Sequence, residues 1–197
     1  MEERLNNFDL YGYITAQCLK YYSESPSKPP LEMAEALMEH PDFLMHCPEH
    51  HYLVPAVLLT AACRMQGRPA DDLAKLLEET QTRSKNVLGA FCGLYGACGA
   101  AIGIGIYASV LTNTTPYSVE TWSAVNLGTA ESLLEMAKIN GPRCCKRNTY
   151  LALQYASSFS REHLGIDLAD CGAIQCTHSA RNKECKRGQC PFYQQSV

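Results

Sequence analysis

The chain has 197 residues, 46% of them hydrophobic and 19% charged, which suits one soluble globular core with at most a small appendage. Its formal net charge of −3 excludes a globally basic surface of the kind that draws proteins to nucleic acid or to anionic membranes. Eleven cysteines, an odd number, fit poorly with a fully paired disulfide scaffold.

Leu5, Phe8, Tyr11, Ile14, Cys18, Leu19 and Tyr22 recur at three-to-four spacing and predict an amphipathic helix over 3–24. The opening MEERLNNFDLYGY lacks a basic region followed by an apolar one, so no secretory signal is expected. A cytoplasmic, reducing setting follows as an expectation, and there clustered thiols serve metal or redox chemistry. SESPSKPP at 23–30 reads as a loop, LEMAEALMEH at 31–40 as a short helix closed by Pro41. The apolar run 51–67 predicts a buried helix with Pro55 in its first turn or as a kink, and Pro69 opens another helix with early acids and late bases. A glycine-rich loop over 89–96 leads into a helix over 97–111. Ser118 is read as the cap of a helix over 119–137 that buries Trp122, Val125, Leu133, Leu134 and Ala137, and a last helix runs over 144–163.

No charged residue lies between Gly89 and Val119. Even so, the apolar stretch 97–111 is only about half to three quarters of a bilayer-spanning helix, and glycines break it, so it is read as a core helix and not as a membrane segment. No period-two strand and no repeat is visible. The expectation is therefore an all-α bundle of six or seven helices around the glycine-rich central helix, with a cysteine-rich irregular C-terminal tail. The boundary is placed between 1–166, a helical domain, and 167–197, a metal-binding tail packed on it.

Eight of the cysteines fall in three groups. Cys171, Cys176, Cys185 and Cys190 form C-x4-C-x8-C-x4-C in a stretch with few apolar residues. A metal shared by these four thiolates would supply folding energy that the segment lacks, with His178 as an alternative ligand. Cys92 and Cys98 bracket the glycine-rich loop, and Cys98 is expected at a helix start, where the dipole favours a thiolate. Cys144 and Cys145 follow Gly141-Pro142 at another expected helix start, beside Arg143, Lys146 and Arg147. One of the pair is expected to face a site and the other to pack. HCPEHH at 46–51 adds His46, Cys47, Glu49, His50 and His51, all competent ligands or acid–base groups. Cys18 and Cys63 sit in apolar helical patterns and are read as core.

From these groups a convergent site is expected. Cys98, Cys145, Glu49 and His50 would do its chemistry, and Cys47, Cys92 and Cys144 would hold a cofactor, an iron–sulfur cluster or zinc. The function that fits is a metal- or iron–sulfur-binding redox protein, as an accessory oxidoreductase or sulfur-handling enzyme with a redox or sulfur-transfer partner. A non-enzymatic zinc adaptor and a metal-free thiol oxidoreductase are the alternatives.

HCPEHHYLVPAVLLTAA, FCGLYGACGAAIGIGIY, GPRCCKR and NKECKRGQCPFY resemble an uncharacterised bacterial and archaeal family, the domain of unknown function numbered 5714. The resemblance covers most of 40–195 and implies no particular activity. GACGAAIGIGI is also similar, more weakly, to the C-GCAxxG-C-C family described as redox-active, which places a cysteine before a glycine-alanine helix as Cys98-Gly99-Ala100 does here. The GCAxxG string itself is absent and the cysteine spacing differs.

Overall fold

The computed structural model describes residues 8–194. Among them are eight α-helices: α1 (Leu10–Ser23), α2 (Pro30–Met38), α3 (Glu49–Met65), α4 (Ala70–Lys85), the single turn α5 (Phe91–Leu94), α6 (Gly99–Leu111), α7 (Trp122–Ala137) and α8 (Cys145–Leu164). The fold is an all-α bundle. The first part of the predicted N-terminal helix, with Leu5, lies outside the described residues. One more helical turn than expected appears because 91–94 coils within the glycine-rich loop.

Two helices form the centre. α3 is apolar on every side, from Tyr52 through Leu59, as a helix with neighbours all round must be. It packs against α1, α2, α4, α6 and α8. The glycine-rich α6 packs against α3, α4, α7 and α8. Its glycines are contact points: a Cβ on Gly103 would lie 2.9 Å from Pro55 Cδ of α3, and one on Gly105 would run into the Thr129 hydroxyl of α7. Pro55 falls in the second turn of α3, since the helix starts earlier than its apolar run. It has no N–H to offer the His51 carbonyl, and Ser84 Oγ of α4 donates there instead at 3.4 Å.

α7 corrects an expectation. Its buried positions are Gly128, Ser132 and Met136, at four-residue spacing. Trp122 is 50% exposed and Leu134 60%, Ala137 is exposed, and Val125 and Leu133 are half-buried. The reason is close packing: Gly128 lies against Phe159 of α8 and Ile104 of α6, and only a small residue fits there. Thr121, not Ser118, precedes the helix, and the Ser118 hydroxyl instead accepts from the Thr115 N–H within the preceding turn.

Beyond Gly165, the left-handed C-cap of α8, the tail carries two 3₁₀ turns, Ser179–Arg181 and Arg187–Gln189, and one isolated parallel bridge between Cys176 and Tyr193. Ile166, Leu168, Ile174 and Phe192 join the bundle core, and the Phe192 ring stands edge-on to Tyr150. No helix among the described residues is long and apolar enough to cross a membrane.

Candidate functional site

The beginnings of α3, α6 and α8 meet at one cavity of about 250 Å³. From the start of α3 come His46, Cys47, His50 and His51; from α6 come Cys98, Gly99 and Ala100; from α8 come Arg143, Cys145 and Asn148. The turn α5 closes the cavity with Cys92, placed by Ala90 in the left-handed region at φ 67°. Each helix aims the positive end of its dipole at this space, an arrangement that favours anions.

Local sequence explains each placement. Cys98 is the N-cap of α6 and Cys145 the first residue of α8. Cys145 and Asn148 share a face at i and i+3, and the Asn148 amide donates to Cys98 Sγ at 3.2 Å. His51 Nδ1 donates to the Val87 carbonyl at 2.9 Å, so its Nε2 is the bare nitrogen. The His51 ring lies flat against Gly99, where any Cβ would collide with it. His50, 1% exposed, donates from Nδ1 to the Cys47 carbonyl at 3.0 Å, and its Nε2 is buried without a partner. Both histidines thus have the orientation of metal-ligating imidazoles, one nitrogen fixed by backbone and the other left as a lone pair.

Without metal, burial keeps two of these thiols, Cys145 and Cys47, protonated. Burial first, then Cys98 beside it, pushes Cys145 up to about 12. Burial and Glu49 raise Cys47 further, and its Sγ donates to the Leu44 carbonyl at 3.7 Å. Burial, then Lys146, holds His50 well below the usual imidazole range, and burial lowers His51 as well.

Not every expected residue is here. Cys144 turns the other way, into a second and much smaller cavity of about 20 Å³ lined by Cys176, Cys185, Cys190, His178 and Asn182. Cys171 lines neither cavity, and its ionisable neighbours are Asp170 and Glu35. The expected quartet of tail thiols is therefore three, with Cys144 beside them. All eleven cysteines are free. As placed, no three His, Cys, Asp or Glu side chains among the described residues close into a metal-binding group. In the larger cavity, the thiols stand around the wall instead of converging on a point.

Sequence reasoning missed Asn148, Asn182 and the burial of Lys146, which is 0% exposed, donates to the Met38 and Phe43 carbonyls at 3.4 Å each and sits over the Phe43 ring. The i, i+3 relation of Cys145 to Asn148 was the available signal for the first. Nothing local marks Asn182, which meets Cys144 across 38 positions.

Fold and site together define a cysteine-rich all-α protein whose helix starts enclose thiols and imidazoles. The chain belongs to the Family of unknown function (DUF5714), whose model matches residues 15–193. Nothing matches it among the curated proteins or the solved structures. The weaker likeness of GACGAAIGIGI to the C-GCAxxG-C-C family is not shown by these comparisons.

Proposed function

We propose that the larger cavity holds an iron–sulfur cluster and that the protein acts in electron transfer or sulfur handling. The observation that carries this reading is the meeting of three helix starts and the turn α5, which together bring Cys47, Cys98, Cys145 and Cys92 to one cavity. A single ion needs donors within about 2.3 Å of one point, which wall-mounted thiols do not offer; a cluster several ångströms across does not need this. Cys145 is the hub, with Cys92 and Cys98 the other principal ligands and Cys47 the fourth. His50 and His51, which line the cavity, would serve in ligation or proton transfer; Glu49, the other expected acid–base group, is buried beside them but does not line it.

Metal binding and ionisation are linked here. A neutral buried thiol is a poor nucleophile, which disfavours metal-free exchange at Cys47 and Cys145, whereas a metal displaces their protons and the three dipoles then stabilise the thiolates. The electron donor or sulfur partner lies outside this chain.

The test is anaerobic purification of the whole chain from cells supplied with iron and cysteine. A brown protein containing iron and acid-labile sulfide, lost in Cys145→Ser with helicity retained, is expected. A colourless, iron-free wild type in which Cys92 and Cys98 alkylate quickly overturns the proposal. Zinc as the sole metal of a colourless protein would favour the adaptor reading, and titratable disulfides the metal-free oxidoreductase.

A further inference from the structure

The second thiol cluster carries an inference separate from the first. We propose that Cys144, Cys176, Cys185 and Cys190 bind a single thiophilic divalent ion, zinc by its chemistry, which clamps the C-terminal tail to the start of α8. Cys171, which completes the linear sequence pattern, takes no part.

Four features of the site point this way. The first is size: about 20 Å³ is close to the 10–15 Å³ that one water requires, so the space suits one ion and not a cluster. The second is the set of N–H groups aimed at sulfur. Arg147 N–H and the Asn182 amide each donate to Cys144 Sγ at 3.4 Å, Arg187 N–H donates to Cys185 Sγ at 3.4 Å, and the His178 N–H donates to Cys176. Asn182 is held in that orientation because its Oδ1 accepts from the Glu184 N–H. Lys186 and Arg187 adopt right- and then left-handed conformations, a backbone nest that suits an anion. Such donors stabilise thiolates, and thiolates are what a metal holds.

The third feature is charge. Arg147 lines the cavity at 4% exposure, its Nε is buried without a partner, and no carboxylate among the described residues pairs with it. A buried guanidinium without an anion is costly, and a tetrathiolate site with its residual negative charge is the anion within reach. The fourth is His178, 1% exposed, whose Nε2 is also buried without a partner. Its Nδ1 accepts from Arg181 at 2.8 Å, so the neutral ring carries its proton on Nε2. His178 lines the same cavity and, with Nδ1 engaged and Nε2 protonated, is a donor and not a ligand. As placed, the four sulfurs do not close on an ion; rotation of side chains already facing so small a space would bring them together.

The test reads zinc, which separates it from iron at the larger cavity. Whole chain expressed with zinc and dialysed free of loosely held metal is analysed for zinc in the wild type, Cys144→Ser, Cys185→Ser, Cys171→Ser and Cys145→Ser. Zinc is expected in the wild type, Cys171→Ser and Cys145→Ser. In Cys144→Ser and Cys185→Ser, affinity is expected to fall at least ~10-fold. Because a ligand variant can misfold, hydrogen exchange on the wild type supplies a second measurement. Chelation should deprotect the amides of Arg147, His178 and Arg187 while α3 and α6 keep theirs. Zinc lost from Cys171→Ser but kept in Cys144→Ser overturns the assignment. So does a zinc-free wild type whose four thiols alkylate at once.

Discussion

Gly99→Ala is the sharpest probe of how the larger cavity is built. On an exposed helix this change is mildly stabilising, by up to about 1 kcal/mol, because glycine is a poor helix residue. Here the added methyl meets Cδ2, Cγ and Nε2 of His51 together, so the ring must shift, and that shift pulls on the Nδ1 bond to the Val87 carbonyl. Overpacking of this kind costs about 1–3 kcal/mol, and swinging the ring away adds about 1 kcal/mol for the lost buried hydrogen bond. Overpacking alone, less the helix gain, leaves a net loss of about 0–3 kcal/mol. Adding the broken bond, the expectation is about 1–4 kcal/mol, or roughly 2–16 °C in Tm for a chain of this length. The assay is an anaerobic thermal melt of four proteins: wild type, Gly99→Ala, His51→Ala and the double variant. The double variant should be no less stable than His51→Ala, a strong non-additivity between touching residues. A Tm that rises in Gly99→Ala, or losses that simply add, would refute the packing of His51 on Gly99.

Two further outcomes are expected. Gly128→Ala should cost about 1–3 kcal/mol, since its Cβ would lie 2.8 Å from Phe159 Cζ, and much of that loss should disappear in a Phe159→Leu background when both are measured by urea unfolding. Burial pushes Cys63 up to about 11 and Cys18 up to about 12. Iodoacetamide at pH 8 should therefore modify them roughly 100-fold and 1000-fold more slowly than an ordinary thiol on ionisation alone, with mass-spectrometric site mapping as the readout.

The helices were legible because their apolar spacing is regular. Leu10, Ile14, Cys18 and Tyr21 bury one face of α1, and Leu73, Leu77, Thr80 and Ser84 one face of α4. α7 was misread because the pattern was taken from its large apolar residues, while the contact is made through Gly128 and Ser132, whose smallness carries no hydrophobic signal. Two of the cysteine-bearing helix starts were legible, from the glycine-rich loop before α6 and from Gly141-Pro142 before α8, whereas α3 starts at Glu49, ahead of the apolar run that announced it. The side on which adjacent cysteines face was not legible. Cys144 is a cap outside the helix and Cys145 its first residue, and only the packed position of α8 turns one toward the tail and the other toward α6. The tail quartet followed the regularity of C-x4-C-x8-C-x4-C, yet spacing says nothing of a partner reaching in from another element, as Cys144 does.

Lys146 tests whether these thiols are meant to be charged. It follows Cys145 directly, is fully buried, and forms none of the close ion pairs among the described residues, Glu39 acting on it only from a distance. Burial lowers it to about 8, so it remains mostly protonated at pH 7. With neutral thiols around it, that buried ammonium is a liability on the order of 1 kcal/mol or more, and its two long carbonyl contacts offset only part of it. With thiolates at Cys145 and Cys47, the same charge becomes favourable. Lys146→Met keeps the length of the stem and removes the charge, so its effect should change sign with metal. The variant should melt higher than wild type when both are metal-free and lower when both are loaded, with weaker metal retention on chelator challenge. If Lys146→Met lowers the melting temperature equally in both states, the lysine is only a packed stem, and no anion of the loaded protein depends on it.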